Sequence, residues 1–197
     1  MPNTKDVLIG APEQKTTGAI KHAPLGTTLP SLSDISTSGV TLNSAFVGDE
    51  YVSEDGLTLS PSMSTTDIKD WSKSTVRKVL DSFDGNLSWT MISTNEGALG
   101  VAFGAEHLTV NAAATTHGKQ IKAELGAHLP EAQSWVFLMK DGNARVVVLV
   151  PNGQVTEVGE VTFSASAAIG WNVTLSCYPD SDGESIYILT DDGVVSA

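Results

Sequence analysis

The sequence predicts a mainly β domain in which two packed antiparallel sheets, arranged as a sandwich or a barrel-like pair, are flanked by one α-helix. The C-terminal half contains β-favouring runs separated by turn residues. One segment alternates apolar and polar residues, and one short segment combines helical spacing with a capping signal. A chain of 197 residues is long enough for one large domain, so we expect a single domain over residues 1–197.

The N-terminal third is predicted to be poor in regular structure. Residues 1–18 and 27–38 are typical of loops, and we expect the first of these segments to be flexible. The Ser- and Thr-rich stretch over residues 58–66 contains Pro61. Its composition suits a long, exposed, extended loop over about residues 57–75.

Residues 67–82 fit two structures. Apolar and β-branched residues recur there at near-helical spacing, but residues 76–80, followed by Asp-Gly-Asn at 84–86, also fit the first strand of a hairpin. Periodicity alone leaves both open. The strand over residues 86–92 is clearer, because Leu87, Trp89 and Met91 share one face.

A helix is predicted over about residues 94–103. Ser93 and Glu96 have the spacing of a capping box, and Gly104 can end the helix. Gly97 and Gly100 each weaken it by about 1 kcal/mol relative to alanine, so the helix should depend on packing against a sheet.

The C-terminal half is predicted to begin with a three-stranded meander. Its strands cover residues 134–140, 144–150 and 154–163, with turns at 141–143 and 151–153. A further antiparallel pair is predicted from residues 167–178 and 184–190, which flank the turn-forming stretch 179–183.

Composition excludes several classes of protein. One cysteine, Cys177, cannot build a disulfide framework, and its apolar sequence surroundings indicate a core residue. A net charge of −12 argues against capture of nucleic acid or anionic membrane by the whole surface. The longest strongly apolar run, residues 146–150, is too short to span a bilayer, and no targeting segment is visible, so we expect no membrane association.

No pattern indicates catalysis, a metal site or a cofactor. The four histidines are scattered and are interpreted as surface groups, and residues 117–119 lack the glycine and the Ser or Thr of a phosphate-binding loop. Residues 180–184 are better explained by a turn than by a cation loop. Of the four tryptophans, Trp71 is the candidate interface anchor, whereas Trp89, Trp135 and Trp171 lie in apolar strands.

A short basic segment interrupts this acidic chain. Residues 69–78 contain Lys69, Lys73, Arg77 and Lys78 against Asp70 alone. They fit a solvated surface, or a contact with an acidic surface of another subunit, such as residues 49–55 or 180–192.

Six segments, taken in order, resemble the major tail protein, or tail tube subunit, of long non-contractile-tailed bacteriophages. The segments are HAPLGTTLP at 22–30, AFVGDEYVSEDGL at 45–57, STTDIKDW at 64–71, VRKV at 76–79, VTF at 161–163 and LSCYPDSDG at 175–183. Each motif is short, and the specificity lies in their order and combination. The resemblance covers about residues 20–190.

The resemblance implies a structural virion protein and not an enzyme. It implies homohexameric rings that stack into a tail tube, through which genomic DNA passes without tight binding. It further implies contacts with tape-measure, tail terminator and distal tail proteins, synthesis in the bacterial host cytoplasm, and location in the virion tail. In such proteins the segment matching residues 57–79 is a long loop or hairpin that reaches a neighbour, so we predict a strand over 76–82.

The predicted subunit or ring interface combines the basic segment with nearby acidic residues. Its members are Lys69, Trp71, Lys73, Arg77, Lys78, Asp49, Glu50, Glu54 and Asp55. Two other classes of function stay open on the residues alone. One is a phage or surface β-sandwich that decorates a capsid or binds carbohydrate, and the other is a hydrolase with a dispersed site.

Overall fold

The structure is a computed structural model, and it describes residues 8–13, 18–48 and 50–195. It confirms a mainly β fold built from antiparallel sheets, with one α-helix, α1, at Glu96–Phe103. The strands are β1 Ile20–Pro24, β2 Ile35–Ser36, β3 Gly39–Val40, β4 Val52–Lys69, β5 Thr75–Met91, β6 Leu108–Asn111, β7 Gln120–Ala123, β8 Gln133–Asp141, β9 Ala144–Val158, β10 Trp171–Tyr178 and β11 Tyr187–Asp191.

One seven-stranded sheet dominates the fold. Its strands follow the order β1-β8-β9-β10-β5-β4, and β11 also pairs with β9. The strand pairs β2–β3 and β6–β7 form two small separate sheets. Among the described residues, the terminal strands β1 and β4 do not pair with each other, so the large sheet is not a closed barrel.

The strand β9 is longer than the sequence predicted. We expected a turn at residues 151–153, but β9 continues through them as one strand of 15 residues, so the predicted three-stranded meander is wrong at this point. The Pro-Asn-Gly sequence lies instead at an irregularity in the pairing with β8, where proline's missing N–H is tolerated. Gly153 is needed there because a β-carbon would come within 3.1 Å of both Trp135 and Leu175.

The two C-terminal strands do not form the predicted pair. β10 and β11 instead pair one after the other with the same long strand, β10 with residues 152–158 and β11 with residues 145–149 of β9. The turn between them therefore leads the chain onward in the same direction rather than back. A strand as long as β9 has room for both, which a prediction from local turn residues could not show.

Apolar side chains fill both faces of the β8–β9 part of the sheet. One cluster contains Trp89 of β5, whose ring centroid lies 5.6 Å from that of Trp135 and 5.5 Å from that of Phe137, both on β8. The sheet therefore curls enough to bring β5 over β8. Val136 and Leu138 of β8 point to a second cluster on the opposite face. Burial of Trp89, Trp135 and Trp171 and the alternation along residues 86–92 confirm those predictions.

The helix begins at Glu96, two residues later than predicted. Its N-cap is Asn95, whose side-chain oxygen accepts a hydrogen bond of 2.8 Å from the Ala98 N–H. The predicted cap, Ser93, instead accepts a hydrogen bond from the Tyr51 N–H. The helix ends at Gly104, as predicted, with φ of 91°. No helix in the described ranges is both long and apolar enough to cross a membrane.

Glu50 explains the glycine at position 97. The Glu50 side chain is buried against the N-terminal turn of α1, where the helix dipole favours a carboxylate. A β-carbon at Gly97 would collide with this carboxylate. At Gly100, the nearest atoms to an added β-carbon lie at ordinary contact distances of 3.7–3.8 Å.

A buried ion pair fixes the described N-terminal residues to the sheet. Arg145 of β9 is fully buried, and its Nε lies 3.1 Å from Oε1 of Glu13. The same guanidinium donates a hydrogen bond to the carbonyl oxygen of Thr37. Residues 8–13 run beside β8 and bridge to it at Pro12 and Met139. The rest of the N-terminal segment expected to be flexible, apart from Gly18, lies outside the described residues.

Replacing each of the two helix glycines with alanine should have opposite effects on the free energy of unfolding. We expect Gly100→Ala to raise the free energy of unfolding by about 0.5–1 kcal/mol, because alanine favours the helix and fits the space. We expect Gly97→Ala to lower it by about 1 kcal/mol, because the new methyl group displaces the buried Glu50 carboxylate. Urea denaturation of both variants and the wild type measures this. Stabilisation by Gly97→Ala would contradict the assigned packing of Glu50.

Candidate assembly interface

The outer part of the β4–β5 hairpin extends away from the rest of the protein. Every residue from 60 to 84 is exposed, whereas the inner ends of both strands pack on the core. We call residues 60–84 the arm. The predicted long loop over residues 57–75 thus takes the form of a hairpin, and the strand predicted over residues 76–82 is confirmed within β5. An isolated two-stranded arm is only marginally stable in water, so it is a natural site for a partner.

One face of the arm continues the core-facing row of the hairpin. In the body of the protein, the opposed pairs Leu57–Trp89 and Leu59–Leu87 face the core. Because side chains alternate along a strand, Met63 and its opposed partner Phe83 lie on the same face further out, and both are exposed. The arm therefore presents apolar surface of the type that usually becomes buried against another surface.

The tip of the arm is a tight turn organised by Asp70. Its carboxylate accepts hydrogen bonds from the Ser72 hydroxyl at 2.7 Å and the Ser74 N–H at 2.9 Å. These bonds, that of Ser72 above all, hold the pKa of Asp70 below its usual range. Lys73 has φ of 66°, the left-handed conformation that favours glycine or asparagine.

The tip concentrates unpaired positive charge beside an exposed aromatic ring. Trp71 is fully exposed, unlike the other three tryptophans. Lys78 is paired with Asp67 at 2.8 Å, and this hydrogen bond lowers the pKa of Asp67. Lys69, Lys73 and Arg77 make no ion pair with any described residue.

The predicted acidic partners lie in different surroundings. Glu54 and Asp55 are exposed near the base of the hairpin, and neither forms an ion pair within the described part of the chain. Glu50 is buried against α1 and is much less accessible than Glu54 and Asp55. Asp49 lies outside the described residues. The structure thus separates the predicted cations and the accessible predicted acids to opposite ends of one hairpin.

The histidines are less scattered than the sequence predicted. The rings of His107 and His128 have centroids only 3.5 Å apart, which the 20 intervening residues conceal in the sequence. His22 packs 5.1 Å from the Trp135 ring, and its burial lowers its pKa. In the described ranges, no three or more His, Cys, Asp or Glu residues form a group suited to a metal ion.

Cys177 lies in the core cluster, as predicted. Burial raises the pKa of its thiol to about 12, so almost no reactive thiolate is present at neutral pH. This environment is the opposite of that required for a catalytic cysteine.

Comparison with known proteins identifies the family. A family model described as "Phage tail tube protein" matches residues 3–197, which is nearly the whole chain. The chain belongs to the phage tail tube protein family. It is therefore a structural component of a phage tail, located in the virion. The predicted resemblance to phage tail tube proteins is therefore confirmed.

Other comparisons of the tail tube chain add little. No curated protein matches the sequence. Among solved structures, the tube-terminating cap of the anti-feeding prophage, determined by cryo-EM, is similar at a TM-score of 0.45 and 13% identity. The alignment covers 94% of this chain and 96% of the cap chain. At such values we base no functional argument on the likeness.

The buried imidazole of His22 should make stability depend on pH. The lowered pKa of His22 in the folded state means that the unfolded chain binds this proton more readily. Stability should therefore be highest above pH about 6.5, the ordinary pKa of histidine, and fall as the pH drops below it. Urea midpoints measured between pH 5 and 8 should fall less steeply for His22→Gln than for the wild type. His117→Gln serves as the control, and equal slopes for all three proteins would contradict the prediction.

Proposed function

We propose that six copies of this chain form a ring, and that stacked rings make the tube of a long non-contractile phage tail that conducts genomic DNA. The family match supports the tube, and the fully exposed arm is the structural observation that supports assembly. A 25-residue hairpin segment with no packing of its own is costly to order unless a neighbour covers it. Tape-measure, terminator and distal tail proteins would be the further partners, and the host cytoplasm would be the place of synthesis.

The distribution of charge suits a conduit that does not retain DNA. The net charge is −12, and fixed lysine or arginine contacts to phosphate are what hold DNA. Outside residues 69–78, most described cations are already engaged within the chain: Lys119 with Glu96, Lys122 with Glu124, Arg145 with Glu13, and Lys21 with the Gly48 carbonyl. Free positive charge therefore collects at the tip of the arm, where we expect an acidic surface of a neighbouring subunit to cover it.

The surfaces required for a repeating assembly lie on different parts of the subunit. The cations of the tip and the accessible acids Glu54 and Asp55 are separated by the length of the arm. Two unlike surfaces that bind each other produce head-to-tail contacts, which close into rings or extend as filaments. A tube of stacked rings requires contacts that close within each ring and contacts that repeat without closing along the stack.

Electron microscopy tests the proposal directly. Negative-stain images of the purified protein over a concentration series should show rings or hollow tubes with a central channel. Dispersed particles that bind glycans, with Trp71 required for that binding, would instead support a carbohydrate-binding decoration protein.

Charge reversal at the tip should abolish tube formation and leave the subunit folded. Lys69→Glu, Lys73→Glu and Arg77→Glu together replace three unpaired cations with anions that repel an acidic neighbour. Circular dichroism should be unchanged, because none of the three makes an ion pair with a residue that the structure describes. The matched comparison uses single reversals: Lys73→Glu at the tip against Lys140→Glu outside the arm, which changes the net charge equally at a lysine that makes no ion pair with any described residue. Normal tubes from the tip variant would overturn the role of these cations.

A further inference from the structure

A cleft lies between the described N-terminal residues and the base of the hairpin. We call it the base cleft; its volume is about 450 Å³. Its walls are residues 9–12 on one side and residues 52–57 on the other, with residues 137–139 of β8 as the floor. The lining is largely apolar and includes Ile9, Ala11, Val52, Leu57 and Met139.

The opening of the base cleft results from an irregularity in β4. The pairing of β4 with β5 is interrupted between Val52 and Leu57, and Gly56 has φ of 70°. The intervening residues leave the ladder and form a wall of the cleft. Glu54 and Asp55 stand in this wall, exposed and without an ion pair among the described residues.

We propose that the base cleft receives Trp71 from the arm tip of a second copy of this chain. The cleft has the size of a ligand pocket and admits an indole ring. Lys69 and Lys73, on either side of Trp71, would meet Glu54 and Asp55 at the rim. An aromatic anchor buried at the centre of an interface and surrounded by charged pairs is the usual arrangement of a binding hot spot.

The occupant has to come from another copy because the arm is too long to reach its own base. Leu57, at the base, and Lys69, at the tip, are separated along a continuous strand by about 40 Å at roughly 3.3 Å per residue. Trp71 therefore cannot enter the cleft of its own chain while the hairpin stays extended. The contact joins unlike surfaces, so each bound copy offers a free tip and a free cleft to the next.

Two other clefts fit a basic aromatic tip less well. One, beside His22 and Gln133, has a more polar lining than the base cleft, so an indole ring would bury less apolar surface there. Its Glu96 is already paired with Lys119 of the same cleft and is therefore a poor partner for the lysines of the tip. The other, beside Phe103 and Leu129, has about 210 Å³, less than half the volume of the base cleft. The base cleft combines sufficient volume, a largely apolar lining and two acids that form no ion pair within the described part of the chain.

Substitutions on the two sides of the contact test it. Trp71→Ala removes the anchor, and Ala11→Trp fills the cleft from an exposed position, so both variants should fold. Each should weaken self-association at least tenfold, measured by sedimentation over a concentration series. Phe163→Ala, which removes another exposed aromatic ring, is the matched control and should associate like the wild type. Wild-type association of Trp71→Ala and Ala11→Trp would overturn the contact.

Cross-linking separates this inference from the proposed tube, on which its biological role rests. Ser72→Cys lies beside Trp71, and Ser53→Cys lines the cleft. A mixture of the two variants should give an oxidised dimer containing one chain of each, whereas Ser164→Cys in place of Ser53→Cys should not. Buried Cys177 should not interfere. Tubes without this cross-link would overturn the tip–cleft contact alone. The cross-link without rings or tubes under the microscope would overturn the tube and keep the contact.

Discussion

The fold depends on one uninterrupted strand. β9 pairs with β8 along one edge and with β11 and then β10 along the other, so four of the seven strands of the main sheet meet at this element. Its side chains enter both apolar clusters, with Val148 in one and Val147 in the other. Arg145, near its start, ties in the described N-terminal residues through Glu13. A break in β9 would therefore disturb the packing of both clusters and the pairing of three neighbouring strands.

The packed sheet explains how the exposed arm is held in place. β5 is anchored at its inner end, where Leu87, Trp89 and Met91 are buried, and the same strand continues outward with every side chain in solvent. Burial supplies the free energy that orients the hairpin, while the outer part is left available for a partner. In the proposed assembly, stability and association are thus divided between the two ends of one hairpin, so changes at the tip should alter association without disturbing the core.

Local patterns in the sequence predicted local structure well and long-range pairing poorly. The alternation at Leu87, Trp89 and Met91 identified a strand, and the exposed Trp71 could be distinguished because no β-favouring apolar run surrounds it. The Pro-Asn-Gly stretch ending at Gly153 was predicted to be a turn. The glycine is instead required because the side chains of Trp135 and Leu175, which are distant in sequence, leave no room for a β-carbon. The base cleft gave no sequence signal at all, because its walls and floor come from three segments that only the folded chain brings together.

The burial of the Cys177 thiol should protect it from oxidation outside the cell. If the subunit is made in the host cytoplasm, as proposed, it passes from a reducing interior, where cysteines stay free, to surroundings that oxidise exposed thiolates. With a pKa of about 12 and a buried side chain, Cys177 presents almost no thiolate to an oxidant or to the cysteine of another subunit. Oxidation should therefore leave the Cys177 thiol of this subunit unchanged.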